Sequence, residues 1–544
     1  MSRVMAGALL RLLLAALALH LVLIQPNHPN ALTWQALFLF PLELPVILLL
    51  LIAAGGVLIR PLRAVLTVGV TVLCVLKAVD FAMFTALSRG FNPVADLVLV
   101  EAAMRLVSGA IGGVLTALAA LGAVLAVIVV ASVIWCATGV WAAITPSRSA
   151  RILSVSGAVL CAGLVVAQIG QATGAWRLPV SPPGAAFTAR VGVELAVLVH
   201  DTLRELRAFR EAAASDPYAD RTGLFDRIDR DVLIVFVESY GRTSLDTPYY
   251  AETHRDTLQR GAARLDGLGL STASTLLRAP TQGGQSWLSH ATFANGLWVS
   301  DQTRYRAVLA SGRETLFHIA ARSGFHTAAV MPQITLAWPE AEVVGFDTIL
   351  AAQDLGYEGE PFNWVTMPDQ FTYAAMDRLL RAPTKAPVFV QIATGTSHAP
   401  WVPVPWLVPW ERIGDGQIFN DMAKAGDTPA EVWRDHDRVR AQYRQAIDYA
   451  LSAVVDYAAL HTDDPPLMIV IGDHQAADFV ALDERADVPA HVIGPPHLVE
   501  RISNLGWRAG LIPDPDAPVL GMDRMRNLLI ETFSSRSAPD GAGG

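Results

Sequence analysis

Two patterns of apolar and polar positions divide the chain. Up to about residue 170 the apolar runs are long enough to cross a bilayer, with mean lengths near the ~20 residues a spanning helix needs. They fall at 4–24, 35–58, 64–87, 110–144 and 152–170, and the fourth is long enough to need a turn or an overhang. From Asp231 onward the apolar runs shorten and alternate with stretches of helical period. DVLIVFV (231–237), HTAAVM (326–331), APVFVQIAT (386–394) and PLMIVIG (466–472) predict buried strands, and ETLFHIAARSGF (314–325), PDQFTYAAMDRLL (368–380) and YRQAIDYALSAVVDYAAL (443–460) predict helices. Strands alternating with helices predict an α/β sheet covered on both faces. Between the two regions, the Pro-rich WRLPVSPPG leads into ARVGVELAVLVHDTLRELRAFREAA, an amphipathic helix beside the membrane in which His200 reads as an ordinary surface or packing residue.

The expected boundaries are a five-span membrane domain at 1–170, a linker helix region at 171–230, an α/β domain at 231–535 and a disordered tail at 536–544. The stretch 402–436, rich in Pro, Trp and Asp, reads as a long surface insertion. FNPVADLVLVEAAMRLV (91–107) reads as a helix lying along the interface.

Composition agrees with a membrane protein: 52% of the 544 residues are hydrophobic and the mean hydropathy is +0.38. Charge sets the direction of insertion. Arg3 and Arg11 flank the start of the first span, Arg60 and Arg63 separate the second from the third, and Arg148 and Arg151 the fourth from the fifth, while the loop at 25–33 carries no Lys or Arg. The positive-inside rule then puts the amino terminus in the cytoplasm, and five crossings put the α/β domain outside. The few ionisable residues within spans, Glu43, Lys77 and Asp80, lie toward the outer ends, which predicts an interfacial salt bridge. Residues 1–170 hold nine Lys/Arg against four Asp/Glu, which leaves −14 of the total −9 on the rest. An acidic outer domain argues against nucleic acid as a partner. All three cysteines lie in spans, so the outer domain has no thiol nucleophile and no disulfide.

The chemistry gathers at strand ends. The strand PLMIVIG runs into Asp473 and His474, and DVLIVFV runs into Glu238. Carboxyl ends of parallel strands share one edge of a sheet, where ligands bind. Two carboxylates and an imidazole make an oxygen and nitrogen donor set suited to Zn²⁺ or Mn²⁺, with Mg²⁺ as a further option, and three ligands leave a position open. RAPTQGGQSWLSHATFANGL offers a hydroxyl nucleophile. Ser286 follows a Gly-Gly turn at the start of a helix-like run, where the helix dipole favours an anion; Thr281 is its competitor.

An early strand ending in an acidic residue, a hydroxyl residue some fifty positions later and a late Asp-His after an apolar strand resemble the alkaline phosphatase superfamily, in its sulfatase-like branch. With amino-terminal spans ahead of them, they resemble the lipoteichoic acid synthases and the phosphoglycerol and phosphoethanolamine transferases of that branch. The resemblance favours Ser286, because Asn295, Gly296 and Leu297 fall at the offset where the family places its Gly or Asn-Ser-Leu. It implies one divalent ion on Glu238, Ser286, Asp473 and His474, with Ser286 as nucleophile. His398 in TGTSHAPW and Trp338 in ITLAWPE match substrate-contacting positions of the family. Met331 and Glu340 depart from it, standing where the synthases have His and Arg. His290 stands where sulfatases have Arg, which argues against sulfatase chemistry as such. His491 is in a strand context that favours packing over a second metal.

The implied reaction is transfer of a phospho-headgroup from a membrane phospholipid, through a covalent Ser286 intermediate, to a hydroxyl of an envelope glycan or glycolipid at the outer face of a bacterial inner membrane. The alternatives are a phosphodiester hydrolase of the same fold and an inactive lipid-binding regulator.

Overall fold

The computed structural model describes residues 3–535 apart from 88, 98–99, 101–103, 105–107, 109–111, 181, 220, 337 and 364–365. The chain divides into two compact units, Met1–Glu205 and Leu206–Gly544. The expected tail at 536–544 and residues 98–99, 101–103 and 105–107 of the expected interfacial helix lie outside the described residues.

The first unit contains α1 (Arg3–Leu23), α2 (Glu43–Ala53), α3 (Ile59–Leu87), α4 (Gly113–Ala142), α5 (Arg148–Ala172) and most of the amphipathic α6 (Phe187–Ala214). Among the described residues, four helices are long and apolar enough to cross a membrane: α1, α3, α4 and α5. The second expected span is not one helix. Residues 34–38 make a 3₁₀ turn, and α2 has only 11 residues, about 16 Å of rise against a hydrocarbon core of about 30 Å. Pro41 and Pro45 explain its late start, since proline is accepted only in a helix's first turn, and the Gly55-Gly56 pair, with Gly56 at φ +60°, ends it. Within the fourth run, α4 is continuous over the 30 residues Gly113–Ala142, with length to spare for tilt or overhang.

The expected ion pair at the outer ends of the spans is also replaced. Lys77 Nζ donates to the Leu23 carbonyl (3.2 Å) and to Thr188 Oγ1 (3.0 Å), Glu43 Oε1 accepts the Ala189 N–H (2.8 Å), and Asp80 accepts the Phe91 N–H (2.7 Å). Free backbone groups at the helix ends and at the start of α6 supply these partners, so the charges need not pair with one another. At its other end α2 reaches α5, where Leu49 packs on Gly157 and Gly55 lies beneath the Arg151 guanidinium.

The second unit is built on one mixed sheet. Its strands are β1 (Val232–Val237), β2 (Ser271–Arg278), β3 (His326–Met331), β4 (Thr348–Ala351), β5 (Val388–Ala393), β6 (Leu467–Gly472), β7 (Asp487–Gly494), β8 (Arg508–Ala509) and β9 (Leu520–Gly521). Their order is β4-β3-β5-β1-β6-β7-β2-β8, with β9 on β2. The pairs from β4 to β6 are parallel, and β7 runs antiparallel to both β6 and β2. Two reversals restore direction, so β2 points the same way as β6.

All six residues of β1 are buried, and they alternate between two cores. Leu233, Val235 and Val237 face one layer, which includes α7 (Pro248–Gly267), α10 (Asp369–Met376) and α11 (His436–Leu460). Val232, Ile234 and Phe236 face the other, which includes α8 (Ser286–Asn295), α9 (Leu316–Arg322), α12 (Pro496–Ser503) and α13 (Met525–Phe533). The carboxyl ends of β1, β2, β3, β5 and β6 therefore share one edge.

Candidate active site

Each candidate residue follows one of those strand ends. Glu238 follows β1, Thr281 and Ser286 follow β2, Trp338 follows β3, His398 follows β5, and Asp473 and His474 follow β6. The two central ends are stitched together: Asp473 Oδ1 accepts the backbone N–H of Ser239 (2.8 Å) and of His474 (2.6 Å). Gly472 permits the close approach, since a Cβ there would sit 1.8 Å from the Tyr240 carbonyl oxygen. Tyr443 on α11 donates to the Ser239 carbonyl (2.8 Å) and so supports the same turn from below.

The turn before α8 is pinned to β6's end. Gly283 N–H donates to the Gln475 carbonyl (2.8 Å), and Gly283 and Gly284 have φ of +72° and +142°. Gln285 then takes the left-handed conformation, φ +66° and ψ +42°, and the helix starts at Ser286. This delivers Ser286 Oγ to Glu238 Oε2, to which it donates at 2.9 Å, and to 3.4 Å from His474 Nε2. His474 Nε2 also lies 3.1 Å from Glu238 Oε1, and its Nδ1 is 3.0 Å from the Gln475 carbonyl, which orients the ring.

Glu238, Asp473 and His474 are buried, at 5%, 1% and 2% exposure, and present one ligand atom each within 4.8 Å of one another. Burial pushes the Asp473 carboxyl up, and the Glu238 charge pushes it further. Glu238 is held low in spite of its burial, by its bond to His474 and that ring's charge. Burial alone would lower His474, but Asp473 and Glu238 raise it to about 9. Two buried carboxylates facing one imidazole leave net negative charge with nothing but protons to offset it, and a dication fits that donor set.

Thr281 does not join the cluster; its Oγ1 is enclosed without a hydrogen-bond partner. Trp338 is half-buried with its ring 6.3 Å from that of Phe346, and among the described residues no hydrogen bond or ion pair ties it to the cluster. His398 is half-buried, its Nδ1 2.6 Å from the Ala399 carbonyl, and its charge is felt at Glu238. His491 packs: Nε2 meets the Tyr240 hydroxyl at 3.1 Å, and burial lowers the ring to about 3. His290, one turn after Ser286, lies against Phe236 with centroids 4.2 Å apart, and burial lowers it to about 4.

Asp369 has no counterpart in the sequence reading. It is fully buried at the start of α10 and its Oδ1 accepts the N–H groups of Gly395 and Thr396, both at 2.9 Å, while its own N–H donates to Thr396 Oγ1 (3.0 Å). This reciprocal bonding fixes the turn that carries His398. A Pro-Asp pair opening a helix signals only a cap, and nothing local links it to a turn 26 residues away.

Residues 230–480 match the Sulfatase family model. The match covers just under half of the chain and makes this segment similar to the sulfatase family. No curated protein matches the chain. Solved structures similar to it include the integral membrane lipooligosaccharide phosphoethanolamine transferase A of Neisseria meningitidis, at 14% identity over 96% of each chain with a TM-score of 0.44. The lipoteichoic acid synthase LtaP of Listeria monocytogenes is similar at 12% identity over 61% of this chain and 79% of that one, with a TM-score of 0.38. The Streptococcus pyogenes phosphoglycerol transferase GacH, in complex with sn-glycerol-1-phosphate, is similar at 14% identity over 61% and 82%, with a TM-score of 0.37. Likeness at this level says nothing of the activity of the α/β domain, which has to be argued from its own site.

Proposed function

We propose that the α/β domain transfers a phospho-headgroup, phosphoglycerol or phosphoethanolamine, from a membrane phospholipid to a hydroxyl of an envelope glycan or glycolipid. The observation that carries the reading is Ser286 Oγ, set at a helix amino terminus and hydrogen-bonded to a buried Glu-Asp-His cluster. Glu238, Asp473, His474 and Ser286 would hold one divalent cation, Mn²⁺ or Zn²⁺, with Mg²⁺ as a further option. When bound it supplies positive charge that lowers the Ser286 pKa and offsets charge on the phosphoryl oxygens.

Ser286 Oγ attacks phosphorus in line; the Oγ–P bond forms and the bond from phosphorus to the diacylglycerol oxygen breaks. The Ser286 proton already lies in a hydrogen bond to Glu238. His398, with Nδ1 turned to the Ala399 carbonyl, offers Nε2 for the proton that the leaving alcohol needs and later takes one from the acceptor hydroxyl. Attack by that hydroxyl on the Ser286 phosphodiester releases the serine. Trp338 belongs on this reading to the headgroup pocket.

The same reading places the amino terminus in the cytoplasm and the α/β domain outside the inner membrane. This reading requires the segment 34–58 to make a fifth crossing, with the 3₁₀ turn at 34–38 adding to the about 16 Å that α2 supplies. The domain divisions would be 1–170, 171–230 and 231–535, with a tail at 536–544.

Peptide mass spectrometry of the metal-loaded protein after incubation with bacterial phospholipids tests the chemistry. A headgroup-phosphate adduct on the Ser286 peptide, absent from Ser286→Ala, is expected, and its mass names the headgroup. Metal-loaded protein that turns over no phospholipid and forms no adduct would overturn the reading.

A further inference from the structure

The first unit holds a cavity of about 650 Å³ that lies apart from the Ser286 cluster in sequence and composition. Its walls come from the end of α1 (Leu21, Ile24) and from the segment that folds back after it, chiefly Leu32, Trp34, Ala36 and Leu37. Three features describe what fits. The chain carries no Asp, Glu, Lys or Arg between Arg11 and Glu43, so the walls hold no charge to meet a phosphate or an ammonium. Two polar side chains at the rim make bonds within the protein: Gln25 Nε2 donates to the Cys74 carbonyl (3.2 Å), and Thr33 Oγ1 accepts the Ala36 N–H (3.3 Å). Among the exposed leucines of α1, Leu10, Leu14, Leu17 and Leu21 form a stripe at helical spacing that ends in the cavity wall at Leu21.

A site whose walls are largely apolar and carry no charged side chain, and that opens onto the exposed leucine stripe of a spanning helix, selects hydrocarbon over a charged headgroup. We propose that it seats one acyl chain of a membrane glycerolipid. Trp34, 83% exposed at its edge, has the amphipathic ring that settles at the level of the headgroups. The segment Gln25–Phe38 is thus a lipid-binding element in its own right, whatever group the Ser286 site transfers.

The test uses the full-length protein in nanodiscs of phosphatidylethanolamine and phosphatidylglycerol, with a tracer glycerolipid carrying a photoreactive diazirine on one acyl chain. After illumination, tryptic mapping is expected to place label on the peptide between Arg11 and Arg63, at residues 21–37. That labelling should saturate with tracer, while labelling of the lipid-facing α4 rises in proportion to it. Ala36→Trp, which fills the cavity, should abolish the first and leave the second, and exchanging the tracer's headgroup should change neither. Labelling at 21–37 that rises without saturating in the native protein, or survives Ala36→Trp while α4 labels normally, would overturn the proposal. None of these readouts needs turnover, so a failure here is distinct from a failure of the transferase reading.

Discussion

Asp369 is the residue at which a single atom separates two outcomes. Replacing it with alanine removes the acceptor shared by the Gly395 and Thr396 N–H groups in a place water does not reach. Each buried donor left unpaired costs about 1–3 kcal/mol, so the pair costs about 4 kcal/mol. In a domain of this size that lowers Tm by about 8 °C. Asp369→Asn keeps a carbonyl oxygen in the same position, retains both bonds and buries no charge, so its Tm at neutral pH should equal or exceed that of the native protein. The pH dependence has a definite sign. Burial raises the Asp369 carboxyl in the folded protein, against the N–H bonds that lower it. Its contribution to stability is therefore full below the unfolded value near 4 and is lost as pH rises through the folded one. The gap between Asp369→Asn and the native protein should widen with pH in that window. Thermal unfolding of the full-length protein in detergent, followed at several pH values, measures both effects. Headgroup transfer should fall about 100-fold in Asp369→Ala, because the turn carrying His398 is no longer fixed, while metal content stays unchanged. An alanine variant as stable as the native protein, or an asparagine variant as damaged as the alanine one, would refute this account.

Removing metal with a chelator should lower the domain's stability by about 2.7 kcal/mol relative to protein at 100 times the metal's dissociation constant, and the resulting drop in Tm should vanish in Asp473→Asn; calorimetry with and without chelator reads it. Gly472→Ala should leave no folded α/β domain, since its Cβ would fall 1.8 Å from a backbone oxygen that has no room to move; circular dichroism and soluble yield check this. Gln285→Val should cost about 1–2 kcal/mol, because a β-branched residue resists φ +66°, while Gln285→Gly should be neutral or stabilising. Denaturation of the two variants side by side separates that strain from any loss of side-chain contacts.

Much of this was legible in the sequence where one physical requirement dominated. The parallel strands β1, β3, β5 and β6 are apolar runs because helices cover both their faces, and the residues after them had to meet at one edge. β2 escaped notice because STASTLLR carries hydroxyls along one half: Ser274 Oγ donates to the Gly510 carbonyl at 2.8 Å, so a polar residue is satisfied inside the sheet and the run loses its apolar signature. That omission hid the antiparallel half of the sheet, although β2's carboxyl end is what carries Ser286 to the site. Hydropathy gave α2 the look of a full span because it counts apolar residues and not the prolines and glycines that bound the helix. Asp369 was invisible for another reason: its partners are backbone N–H groups in a distant turn, and no residue type at 395 or 396 announces them.

β1 sits between β5 and β6, so the strand made first in the α/β domain waits for the fifth before one edge is paired and for the sixth before both are. Glu238 and Asp473 are 235 positions apart, and the bonds that fix one to the other join β1's end to β6's. Long-range pairing of this kind comes late in folding. On the proposed reading, the segment at 280–286 is made well before Asp473 and His474, so Ser286 would stay unarmed until the sheet closes, and metal binding would mark a finished domain.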